Sequence, residues 1–366
     1  MASRPHSSEF SCVLRADERL GPFAIIIDDM VRGLSTNGQV NTDQFCYFLC
    51  RVFEHLGSDP SLQPSLMKLL TAGENTPLSG ELDHCGRCVL KSAALRHAGL
   101  PVLKWLQSRR LLDIHVIDNR EENAIFEVLR RTGSAEEEDG EVLDWVLQQH
   151  VQPARQNALG LQPVHAAALH LKARAVLQLC RAGVDANALT DGDVSPTLQQ
   201  LVSFHTDDPY VMGVAGSTPL HLAFYTRQSI SQDLVAVLIA CGADVTRRNC
   251  RGSTPVSVLF DWESFYSAGH PLHTCSLRVW REVLHAFVAK FGLLTLTLGA
   301  RQAVSGRRWG SVLQTLREDG AAMDFVPSLK TFCWLAVRRA LGGMHFQDKV
   351  DTLPLPGRVR HFLTVL

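Results

Sequence analysis

The sequence predicts an all-α protein: a solenoid of helix-pair repeats, a helical cap before them and a small helical module after them. Three observations carry this. Residues 162–187 read QPVHAAALHLKARAVLQLCRAGVDAN, and residues 216–245 share their layout, opening GSTPLHLA and closing CGADV. A third copy opens GSTPV at Gly252, 36 residues after Gly216. The first two copies carry helix start and stop residues at matching places, and the third carries the start. Self-similarity at such a spacing marks stacked units, each too small to bury a core alone.

The elements follow in order. Residues 1–20 are polar, lack the apolar centre of a signal peptide, and are expected to be disordered. Residues 21–84 are expected to form the N-terminal cap. Phe23 to Leu70 is apolar with helical spacing, broken at Gly33, Gly38, Gly57 and Pro60. Asp28 and Asp29 are adjacent, so they point to different sides of a helix and are read as surface rather than as an acid–base pair. Cys46 and Cys50 lie at i, i+4 among Phe45, Tyr47, Phe48 and Leu49, a core pattern.

Residues 85–326 are expected to be repeats, clear over 157–260 and degenerate elsewhere. SAALRHAGLPVLKWLQ, between Arg87 and Asp113, reads as a helix pair. Asn119 to Gln149 reads as another, NAIFEVLRR then EVLDWVLQQ, with the acidic stretch Glu136 to Asp139 expected as a solvated loop. In the clear copies, Pro163, Pro219 and Pro255 suit the first helical position, where a missing N–H costs nothing. Ala167, Ala168 and Ala223 allow close helix approach. Gly183 and Gly242 suit left-handed caps after the second helices. Residues 190–215 form an insertion, either a truncated repeat or a long loop. Beyond Asp261 the third copy runs off pattern, and Leu277 to Phe291 and Trp309 to Leu316 are candidate helices.

Residues 327–366 form the terminal module. Leu329, Cys333 and Val337 lie at i, i+4 and i+8, and Ala336 and Ala340 complete a narrow apolar stripe. Gly342 and Gly343 can end that helix and are expected to loosen the stretch after it. Leu353-Pro354-Leu355-Pro356 sets an extended arm, because proline forbids a regular helix. Val359, Phe362 and Leu363 are expected to form a last helical face. The residues alone leave two readings open. The stripe can fit a groove on a partner, or the tail can be a hairpin that caps the stack with Leu329 and Cys333 turned inward.

The repeats resemble ankyrin repeats, whose T-P-L-H-x-A-A…G-A-D-V-N pattern residues 162–187 follow without a gap. The tail resembles a SOCS box. Together they resemble the ankyrin-repeat and SOCS-box protein family. The resemblance implies a substrate receptor of a ubiquitin ligase. In that role Leu329, Cys333 and Val337 would bind elongin B and elongin C. Leu353, Pro354, Leu355 and Pro356 would engage cullin-5, or cullin-2, with its RING subunit. The repeats would hold a protein substrate on their concave face and the 190–215 insertion, where Phe204 and Tyr210 are candidate anchors. It also implies that His165 and His221 hydrogen-bond between neighbouring turns. The alternative is an ankyrin interaction scaffold with no ligase link.

Composition narrows the remaining classes. The net charge of −1 gives no basic field for nucleic acid or an anionic membrane. No apolar run reaches the ~20 residues that span a bilayer. Ten scattered cysteines read as reduced thiols, which points to the cytosol or nucleus. Cys85 and Cys88 form a Cys-x-x-Cys with no second pair at zinc spacing, and are expected to enter a repeat helix. No phosphate-binding glycine loop and no Gly-x-Ser-x-Gly occurs. The expectation is a non-catalytic adaptor with no catalytic residue, metal or cofactor.

Overall fold

The structure is a computed structural model. It describes residues 23–37, 39–56, 63–72, 78–131, 136–191, 215–225, 231–250, 252–258, 283 and 329–364. The chain forms two compact units, Met1–Gln152 and Pro153–Leu366.

The first unit contains α1 (Ala24–Asn37), α2 (Thr42–Leu56), α3 (Gln63–Ala72), α4 (His84–His97), α5 (Leu100–Ser108), α6 (Ala124–Leu129) and α7 (Glu136–Gln148). α2 packs on α4, and Phe45, Phe48, Phe53, Leu90, Leu95 and Leu103 fill its core. Cys46 is buried and Cys50 half-buried, while Asp28 and Asp29 are exposed. Burial, then neighbouring charges, pushes the Cys46 thiol up to about 12 and the Cys50 thiol up to about 11, so both stay protonated. One feature departs from the all-α expectation. β1 (Val40–Asn41) and β2 (Leu78–Ser79) pair in parallel. Thr42 Oγ1 donates to the carbonyls of Ser79 and Gly80, each at 2.9 Å, and fastens that pair. Two-residue strands carry no alternating pattern that a sequence could display.

The predicted helix pair in 87–113 is α4 and α5, with Gly99 N-capping α5 and proline in its first turn. The expected acidic loop at Glu136 to Asp139 is corrected: these residues are the first turn of α7. Carboxylates are favoured at a helix N-terminus, where unpaired N–H groups concentrate. Asp139 Oδ1 also accepts from Arg131 Nε at 2.7 Å. Arg131 is buried and donates further to the carbonyls of Leu95 and Ala98, at 2.8 and 2.9 Å. It thereby satisfies the C-terminus of α4.

The second unit holds α8 (Pro163–Leu169), α9 (Ala173–Arg181), α10 (Pro219–Tyr225) and α11 (Gln232–Ala240), then a helical turn at 255–258. α8 packs on α10 and α9 on α11, so the first and second helices form two layers. Ala167, Ala168 and Ala223 are fully buried between them. Helices and turn begin at Pro163, Pro219 and Pro255. The turns are stitched in series: Thr190 N donates to Ser217 O at 3.0 Å, Gly216 N to Thr190 O at 3.0 Å, and Cys250 N to Ala215 O at 2.9 Å. His165 is held between turns, with Nδ1 accepting from Gln162 N and Nε2 beside Ala188 O, both at 3.0 Å. His221 repeats this with Thr218 N and Ser253 O, again at 3.0 Å. Burial pushes both imidazoles down to about 4, so both are neutral at pH 7. Gly183 and Gly242 have φ of 92° and 100°, left-handed as their sequence context requires.

Three helices close the second unit: α12 (Leu329–Leu341), α13 (Phe346–Thr352) and α14 (Gly357–Thr364). Residues 1–22 and most of 190–215, with Phe204 and Tyr210, lie outside the described residues. So do the candidate helices at 277–291, apart from a buried helical Val283, and at 309–316.

Candidate functional site: the surface of the terminal module

α12 has two faces. Thr331, Trp334, Leu335 and Arg338 turn inward and are buried. Cys333, Ala336 and Ala340 are exposed, and Val337 is half-buried. The expected stripe is therefore the outer one. A tail that merely turned Cys333 into the stack would bury it. Leu329 opens the same helix, one turn before Cys333, and its side chain lies outside the described set.

The inner face is fixed by polar contacts to backbone. Trp334 Nε1 donates to Phe362 O at 2.8 Å. Arg338 stacks between two rings, its guanidinium carbon 4.3 Å from the Trp334 centroid and 4.4 Å from that of Phe346. It donates to the carbonyls of Leu363 and Ile239, and to Ala243 O at 3.5 Å. Among the described residues no carboxylate forms an ion pair with it. Burial therefore pulls this arginine down to about 9, with Asp244 and Cys241 opposing the shift, and it remains charged at pH 7. The sequence gives no warning of this role, because Arg338-Arg339 reads as the basic last turn of a surface helix.

Gly342 ends α12 with φ of 70°. The expected loosening at Gly342-Gly343 is corrected, since Gly343 is buried against the turn at 185–187. The Leu353–Pro356 arm runs between α13 and α14 without helix. Pro354 and Pro356 are exposed; Leu353 and Leu355 are half-buried. Arg360 braces the arm, donating from Nε to Leu355 O at 3.0 Å and from Nη1 to Asp351 O at 3.3 Å. Pro356 O receives the N–H groups of Val359 and Arg360 and starts α14. Val359, Phe362 and Leu363 lie at i, i+3 and i+4 of α14, with Leu363 buried, Phe362 half-buried and Val359 exposed. Trp334 and Arg338 fasten the end of α14 through the carbonyls of Phe362 and Leu363.

The other groups that could carry chemistry are engaged or isolated. Asp118, Glu122 and Glu127 lie close together. Glu122 pairs with Arg130 at 2.6 Å and Glu127 with Arg96 at 2.6 Å. Burial alone would raise the Glu127 carboxyl, but Arg96 and Arg130 hold it below the usual range. The cluster is thus a compensated ion network in the core. Cys85 is exposed in the first turn of α4 and Cys88 half-buried in the next, where Cys88 Sγ lies 3.7 Å from His84 Nε2. Among the described residues no helix is long and apolar enough to cross a membrane.

The SOCS-box family model matches residues 325–364. No curated protein matches the chain. The matched span covers α12, α13, α14 and the Leu-Pro-Leu-Pro arm. A SOCS box is the module that binds elongin B/C and a cullin. The chain therefore carries a SOCS box at residues 325–364, ending in its Leu-Pro-Leu-Pro arm and α14.

Proposed function

We propose that this protein is the substrate-recognition subunit of a cullin–RING ubiquitin ligase. The box recruits elongin B and elongin C through Leu329, Cys333 and Val337. The arm Leu353–Pro356 engages the cullin, cullin-5 or cullin-2, with its RING subunit. The helix-pair units in the second half are ankyrin repeats that hold a protein substrate, with Phe204 and Tyr210 of the insertion as anchors. The chain is an adaptor, and ubiquitin transfer takes place on its partners. One observation carries the reading: the matched SOCS box presents Cys333, Ala336 and Ala340 outward while its opposite face is buried.

The deciding experiment is co-purification with elongin B/C. Leu329→Ala with Cys333→Ala should abolish capture and keep a cooperative melt, since truncating a buried anchor costs ~2–4 kcal/mol of binding. Retained capture would sink the assignment and leave an interaction scaffold whose tail is only a cap. Replacing Leu353, Pro354, Leu355 and Pro356 with alanine should lose the cullin and keep elongin B/C. Deleting Ser203 to Met212 should remove substrate and leave both untouched.

A further inference from the structure

The box and the repeats meet along one seam. At Gly343 a Cβ would stand 2.2 Å from Asp185 Oδ1 and 2.6 Å from Asn187 Nδ2, so a side chain there must push aside two hydrogen-bonded groups. Two residues on, the His345 ring lies over Gly183, whose Cβ would come within 2.7 Å of Nε2. Phe346 lies over Gly242 in the same way, 2.7 Å from Cγ. These glycines hold matching places in successive helix pairs, so neighbouring box residues rest on two units at once. Asn187 ties those units together, donating to Gly242 O at 3.0 Å and accepting from Asp244 N at 2.6 Å. Arg338 closes the seam on Ile239 O and Ala243 O. They sit at and just past the C-terminus of α11, where Ile239 O also accepts from Gly242 N at 3.0 Å and the negative end of the helix dipole meets a cation. Arg339 adds a bond to Thr246 Oγ1 at 2.5 Å.

We propose that residues 338–346 are a positioning seam. It holds the outer face of α12 at one angle to the repeats, and Arg338 and Gly343 are its positioning residues. Three features separate a built seam from incidental contact. A methyl group at Gly343 would displace the hydrogen-bonded ends of Asp185 and Asn187. A buried guanidinium is committed to repeat carbonyls. The contact spans two repeats rather than one. The seam also uses the side of α12 opposite Cys333, so it can be altered without touching the exposed stripe. Its consequence rests on the proposed function: a substrate on the repeats would be presented to partners on α12 in a fixed orientation, and transfer between bound groups falls steeply with small misplacements.

The test measures geometry and docking separately on the full chain. Cys250 and Cys333 are both exposed. In a variant that keeps only these cysteines on the surface, spin labels on the pair report the box-to-repeat distance. Wild type should give one narrow distance. Gly343→Ala should broaden it, Gly343→Leu should broaden it further, and Arg338→Lys should broaden it as well. Binding of purified elongin B/C to the unlabelled Gly343→Ala chain should stay within about twofold of wild type, the scatter expected of independent sites. A broad wild-type distribution overturns the proposal. So does an unchanged narrow distance in both Gly343 variants, or a Gly343→Ala chain that melts cooperatively yet loses elongin B/C. If wild type itself fails to bind elongin B/C, the ligase reading falls while the distances still decide the seam.

Discussion

The pair His165 and His221 ties single residues to solution behaviour. Both are fully buried and neutral, pulled down to about 4 from an ordinary 6.5. A depressed folded value means that the unfolded chain binds the proton first. Stability from these histidines is complete above pH 6.5 and is lost as pH falls towards 4, by about 1 kcal/mol per pH unit for each. Thermal melts from pH 7 to 5 should show this fall. His165→Asn with His221→Asn should start lower at pH 7 and fall less steeply; an equal slope would place the titration elsewhere. Arg131 makes a second case. Arg131→Met would leave Leu95 O and Ala98 O without their donor and Asp139 without its nearest cation. Removing one member of such a buried set costs ~3–5 kcal/mol, and denaturant unfolding of the variant measures it. Nothing in Arg130-Arg131 distinguishes this buried cap from a surface charge.

Turns and caps decide matters for the elements. Gly242, Gly252 and Gly342 all hold left-handed φ, at 100°, 76° and 70°. They differ in surroundings: a Cβ at Gly252 or Gly342 meets nothing within 4 Å, whereas one at Gly242 strikes Phe346. Gly252→Ala and Gly342→Ala should each cost only the backbone term, roughly 1–2 kcal/mol. Gly242→Ala should cost a further ~1–3 kcal/mol for overpacking. Equal losses at all three sites would mean that Phe346 does not press on that turn. The same contrast explains what could be read in advance. Proline at the first helical position and glycine after the second helix are local needs, and Pro163, Pro219, Gly183 and Gly242 stand where those needs predict. The acidic first turn of α7 was misleading because charge density alone does not separate a loop from a helix start.

At the scale of the whole molecule, the second unit is one packing problem. Removing residues 327–366 would uncover the turns at 182–187 and 241–246 and release Ile239 O and Ala243 O from Arg338. The truncated chain should melt lower, by about 2–4 °C for each kcal/mol lost in a unit of this size. Calorimetry decides it, and an unchanged transition would mean that the box contributes nothing to the repeats. The first unit is its own packing problem, closed by the ion network of Arg96, Arg130, Glu122 and Glu127 and by the β1–β2 pair.

By itself the sequence determined the helix-pair architecture, the starts and caps of its clear copies, the apolar stripe of α12 and the helix-free arm, while the structure decided that this stripe faces outward and that the histidines between turns are buried and neutral. The first four follow from periodicity and from residues whose own covalent geometry limits the backbone. The tertiary structure alone decided which arginines are buried, what crowds Gly343, what fastens the end of α14, and that the box rests on two repeats. Those outcomes depend on segments far apart in the chain. Arg338 and Ile239 are 99 residues apart, and no local pattern around either one encodes the other. A buried charge is written in its partners, and its partners are supplied by the fold.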